Sequence, residues 1–385
     1  MTRHWELDAL RGLMLVLMTF THLPTRLSQP VGQPFGFVSA AEGFVLLSAF
    51  MAGLVYSRVA RQKGILQMRS ALWRRSLKVY GCHAATLLFL FTVVASLGLK
   101  IDQRAVVDLM SFYLAEPTLA LIAALLLVYA PPLLDILPMY IVFMLATPWV
   151  LFMGLRGGWL RILAASIGLW FLAQFSLGEW LHDSAVSLMG LKVPFQEMGS
   201  FGTFSWQLIW VMGLWMGSTR VQPGAAPFAF PRWAVLVAVV FAVTTLVWRH
   251  AIGQTPFPAN PELNMLFDKW QVGPLRLLNL MALIVILIRF GPAWVKWLPR
   301  IRWLEWLGAA SLPVFCAHLI VVLLALALFG SNPLIYPWWF DMVLLGTCLA
   351  ALTLVARLTL ALDKTTVPSG RDEIVEAPQV TQPAS

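Results

Sequence analysis

Residues 79–99, 136–155 and 312–330 contain no Lys, Arg, Asp or Glu. A helix rises about 1.5 Å per residue, so about 20 apolar residues cross a hydrocarbon core about 30 Å thick. Each of these stretches is long enough to do so. A soluble chain exposing this much apolar surface would not stay dispersed. The whole sequence agrees: 59% of its 385 residues are hydrophobic and 12% are charged, against about 25% charged in ordinary soluble domains. The expected fold is all-α, a polytopic integral membrane bundle of about ten transmembrane helices. The expected spans are 7–23, 37–57, 79–99, 133–155, 159–177, 201–218, 233–250, 274–290, 304–329 and 338–362. The apolar piece 118–129 is too short to cross. It reads as a re-entrant or interfacial helix, ended by Pro131 and Pro132. One membrane domain, 1–362, is followed by a polar tail, 363–385, expected to be disordered in the cytoplasm.

The formal net charge of +9 does not point to nucleic acid, because the cations sit in short loops between apolar blocks. Fifteen Lys and Arg fall in the even-numbered loops against seven in the odd ones. The positive-inside bias then puts both termini in the cytoplasm. A crossing at 118–129 would invert everything after it and spoil the pattern. Cys82, Cys316 and Cys348 lie in or near apolar spans with no disulfide or metal-ligand spacing, so no metal is expected. The basic start and short apolar core at 9–23 also suit a signal peptide, but Arg11 interrupts it and no small-x-small cleavage site follows. No internal repeat supports an inverted-repeat transporter.

Ionisable groups inside a bilayer are costly and mark candidate sites. Arg11 and His22 are eleven residues apart, so one helix face carries them roughly 16 Å apart, Arg11 toward the inner side and His22 toward the outer. Asp8 is placed to pair with Arg11. Taken singly, Arg11 reads as a snorkelling cation and His22 as an interfacial residue. Glu42, near the outer end of the second span, adds a carboxylate that could orient His22 as a general base. Asp135, Trp206 and Gln207 are candidates for lining a substrate cavity. His318 either joins that cavity or bridges two helices. His83 reads as structural, and His182 with Asp183 as a solvated pair. Arg74, Arg75 and Lys78 anchor the topology and are also candidates for holding the phosphates of a cytoplasmic donor. No Gly-x-Ser-x-Gly elbow is present, which favours direct transfer over an acyl-enzyme.

The stretches ELDALRG (6–12), AAEGFVLLSAFMAG (40–53), DILPMY (135–140), SWQL (205–208) and LGAASLPVFCAH (307–318), with His22 between the first two, carry a resemblance. The chain resembles the OpgC family, membrane proteins associated with acyl, typically succinyl, modification of osmoregulated periplasmic glucans. The spacing Arg11-x10-His22 is also similar to a signature of the wider acyltransferase-3 membrane group. The resemblance implies O-acyl transfer from a cytoplasmic acyl-CoA, succinyl-CoA first among them, to a glucan hydroxyl across the bacterial inner membrane. It implies His22 as catalytic base, Arg11 as the donor's helper and, by local context, Glu42 as the acidic residue. The expected partners are the lipid bilayer and a periplasmic saccharide, with no nucleic acid. One departure is Ser48-Ala49, where the family has Ser-Gly. A saccharide or acyl-carrier transporter is the alternative from another class, and a structural subunit of a glucan-export complex is a third.

Overall fold

The computed structural model describes residues 5–222, 224 and 228–366. Among them the regular structure is helical, with one isolated bridge between Phe35 and Val38. The helices that build the bundle are numbered here α1 (Trp5–His22), α2 (Ala40–Lys63), α3 (Ile65–Phe89), α4 (Pro117–Leu125), α5 (Ile136–Met153) and α6 (Trp159–Ala173). They continue as α7 (Thr203–Thr219), α8 (Arg232–Ile252), α9 (Pro274–Trp297), α10 (Arg302–Ala309), α11 (Ser311–Phe329) and α12 (Trp338–Thr366). Each expected span overlaps one of them, and 304–329 overlaps two. Seven continuous helical runs among the described residues are long and apolar enough to cross a bilayer. The expectation of ten separate crossings differs from this count for physical reasons. Helix α1 carries Glu6, Asp8 and Arg11, and α7 is 17 residues long. Helices α5 and α6 form one run, bent where Gly157 takes φ 88°. Outward-facing Leu160, Leu236, Val240 and Leu354 are exposed, an apolar exterior that suits lipid. The chain is a multi-pass membrane protein.

Three local expectations change. The basic segment 58–78 is not a loop, because α2 and α3 run through it and only Gly64, at φ 89°, turns the chain between them. Glycine takes that left-handed φ without the cost a Cβ would impose. The span 304–329 breaks at Ala310 into α10 and α11. The short piece at 118–129 is, as expected, too short to cross: it is the nine-residue α4, about 13 Å long at the helical rise. It is held by Tyr80, whose hydroxyl donates to the Leu125 carbonyl at 2.9 Å, and by His83 at 3.3 Å from the Ala124 carbonyl. At the C-terminus α12 passes Leu362 and reaches Thr366, so the expected tail begins later, and 367–385 lie outside the described residues.

Glycines set the closest helix crossings. A Cβ on Gly12 would overlap the Leu304 carbonyl, and one on Gly308 would overlap the Asp8 carbonyl. The two glycines thus let α1 and α10 touch backbone to backbone, the small-residue packing that bilayer helices use. Between α2 and α7 the same work falls to Gly53 against Leu214 and Gly217 against Phe50. These contacts fix α1 and α2, which carry Arg11, His22, Glu42 and Ser48.

Candidate active site

Among the described residues a cavity lies at each end of the α1 stripe. The Arg11 end holds a small one of about 20 Å³, lined by Arg11, Ser48, Arg75, Tyr140 and Ser311. That is room for about one water. The His22 end opens on a chamber of about 300 Å³, lined by His22, Ser39, Asp135, Ser200, Lys269 and Trp270. Ile136 and Phe315 line both. They form the wall between the two, backed by Phe44, whose ring stacks on Phe315 at 5.7 Å between centroids.

At the Arg11 cavity the break at Ala310 has a function in the geometry. It frees Ser311 to begin α11, and the Ser311 hydroxyl accepts a hydrogen bond from the Arg11 guanidinium. Arg75 reaches the same cavity from α3, whereas Arg74 and Lys78 point outward and are exposed. Of the four cations expected to meet a donor, Arg11 and Arg75 line this cavity, and Arg74 and Lys78 do not. The Ser48 hydroxyl, also on this cavity, is buried without a hydrogen-bond partner among the described residues.

At the larger chamber His22 pairs with His318. Its Nδ1 and the His318 Nε2 share a hydrogen bond of 3.1 Å, and the rings stack with centroids 5.1 Å apart. This leaves His22 Nε2 as the ring nitrogen available to the chamber. His318 is fully buried, with the backbone carbonyls of Met18 and Phe315 beside its ring.

Glu42, expected beside His22, is engaged elsewhere. One carboxylate oxygen closes a capping box with Ser39 at the start of α2, and the other takes the Arg276 guanidinium from α9. Both partners are buried. Arg276 stands just inside the start of its span, where nothing in the sequence marks it as a partner of Glu42. Asp135 does reach the chamber, where its Oδ2 accepts the Ser200 amide at 3.2 Å. Trp206 does not. It is fully buried, and its indole N–H donates at 3.0 Å to the carbonyl of Trp270, which does line the chamber. Gln207 ties α7 to α6, accepting from the Ser166 hydroxyl at 2.6 Å and donating to the Ser166 carbonyl at 2.8 Å.

The sequence profile described as OpgC protein matches residues 3–364. The chain belongs to the OpgC family. Membership ties it to the modification of periplasmic glucans. No curated protein and no solved structure matches the chain. Against the OpgC pattern, the Ser48-Ala49 departure has a local answer. A Cβ at Gly213 on α7 would sit 2.6 Å from the Ala49 methyl, so Gly213 supplies the room that Ala49 uses. Lys269, which no motif marks, enters the chamber from the loop between α8 and α9, which is tied to the start of α7 where the Gly202 amide donates to the Trp270 carbonyl at 2.9 Å.

Proposed function

We propose that this OpgC-family chain is an O-acyltransferase of the bacterial inner membrane, moving an acyl group, succinyl first, from cytoplasmic acyl-CoA to a periplasmic glucan hydroxyl. The observation that carries this reading is the His22–His318 pair opening on a polar chamber that shares a wall with an arginine-lined cavity. By the loop charges, the arginine end faces the cytoplasm and the histidine end the periplasm.

In this reading Arg11 and Arg75 hold the donor's anionic and amide groups by charge-assisted hydrogen bonds. His22 Nε2 removes the proton of an acceptor hydroxyl, whose oxygen attacks the thioester carbonyl. The tetrahedral intermediate expels the thiolate, which takes that proton back from the imidazolium. A C–O bond forms, a C–S bond breaks, and His22 returns to neutral. For Nε2 to be the base, His22 must carry its proton on Nδ1 and donate it to His318 Nε2. That hydrogen bond fixes the tautomer and steadies the imidazolium as it forms.

The test is transfer itself. Detergent-solubilised protein given radiolabelled acyl-CoA and glucan should yield covalently acylated glucan, and His22→Ala should abolish the product at unchanged monodispersity. A transporter would leave the glucan unlabelled, and full activity in the His22→Ala protein would overturn the assignment.

A further inference from the structure

Lys269 is a cation in the outer chamber without a matching anion. Its ammonium stands 4.5 Å from the centre of the Trp270 ring and 5.8 Å from that of Phe201. It makes no ion pair or hydrogen bond among the described residues. The acids that act on it are committed elsewhere: Glu42 to Arg276 and Ser39, and Asp135 to the Ser200 amide. Its desolvation outweighs those attractions and lowers its pKa from the ordinary lysine value. A cation–π contact returns only a small part of what an ammonium loses when it is removed from water without a close counter-ion. Apart from the Asp135 carboxylate, which is held by the Ser200 amide, the other polar side chains of the chamber (Thr21, His22, Ser39, Ser200) are hydroxyls and an imidazole, sufficient for a neutral saccharide or a neutral acyl chain.

We propose that Lys269 is an anion subsite holding a carboxylate at the far end of the transferred acyl group, and thereby selects dicarboxylic over neutral acyl donors. This rests on the acyl-transfer reading above. The geometry favours the donor as source of the anion. With the coenzyme on the arginine side and the thioester carbonyl at His22, the acyl chain points past His22 into the space that Lys269 lines. Lys269 lies within electrostatic reach of His22.

The experiment compares succinyl-CoA with its neutral counterpart butyryl-CoA, using full-length protein and glucan. The unmodified protein should favour succinyl by at least tenfold in kcat/KM. Lys269→Met should bring the ratio near one by raising the succinyl-CoA KM, with butyryl transfer within about twofold of the original. Lys269→Gln should repeat this, and Lys269→Arg should keep the preference. An unchanged ratio in the Met and Gln variants would overturn the proposal. So would an equal fall for both donors, which points to the acceptor or the oxyanion, or the same loss in Asp135→Asn, which points to a structural partnership. Absence of transfer from every donor by the unmodified protein would instead sink the acyltransferase reading on which this one stands.

Discussion

His22 and His318 hold each other across 296 residues of sequence, Nδ1 to Nε2 at 3.1 Å, with their rings stacked. If His318 orients the base, it is a positioning residue, and its removal should strike turnover rather than binding. His318→Gln is expected to lower kcat by about 10²-fold, within the range that general-base catalysis supplies, while KM for the donor stays within about threefold. His318→Ala combined with His22→Ala should be no worse than His22→Ala alone, because the two act as a unit. Steady-state kinetics of the four proteins distinguish this from a structural role, which would lower the folded yield and leave the surviving kcat unchanged.

The buried Glu42–Arg276 pair predicts a different kind of loss. Removing one partner of such a pair strands the other charge and costs about 3–5 kcal/mol. Glu42→Gln should lower the thermal unfolding midpoint in detergent and leave kcat per folded molecule near normal. Replacing both, as Glu42→Gln with Arg276→Met, should recover part of the midpoint. A Glu42→Gln protein with full thermal stability and no turnover would return Glu42 to the catalytic role that its place in the sequence suggested.

Arg75, Arg74 and Lys78 are close in sequence and separated in exposure. Charge-assisted hydrogen bonds contribute about 1.5–3 kcal/mol, so Arg75→Ala should raise the acyl-CoA KM roughly tenfold or more. Arg74→Ala and Lys78→Ala should shift it by less than about twofold. Equal effects at all three would mean that the helix face contributes only a diffuse positive field.

Gly308 against Asp8 is a steric prediction. Gly308→Ala places a methyl on a backbone carbonyl, and overpacking of this kind costs about 1–3 kcal/mol. It should also move Arg11 and cut activity. Gly168 on α6 has nothing within 4 Å of an added Cβ, so Gly168→Ala should be neutral or slightly stabilising. Size-exclusion profiles and unfolding midpoints of the two proteins check the contrast.

The helical layout could be read from charge-free blocks because bilayer thickness acts on every span independently. Arg11 and His22 at two depths of one helix were legible for the same reason, being set by the 3.6-residue period. The Glu42–Arg276 and His22–His318 pairs were not, since each joins helices whose order along the chain says nothing about which are neighbours. Glu42 misled for a specific reason. As the third residue after Ser39, it meets a local demand of the α2 N-terminus, and that demand is indistinguishable in sequence from a catalytic carboxylate. Gln207 misled similarly, because a polar residue in an apolar span serves equally well as a strut between helices. Arg276 and Lys269 were absorbed into the loop charge count, where position relative to the membrane hides what a cation touches.

The wall of Ile136 and Phe315 makes the two cavities blind rooms with one partition in common. Were the proposed transfer to join two compartments, this arrangement would keep the membrane electrically tight. Coenzyme and saccharide would not need to share a corridor or exchange sides. Only the acyl group would change compartment, handed across a thickness of about one phenylalanine ring, and the ion gradients on either side would be left undisturbed by each turnover.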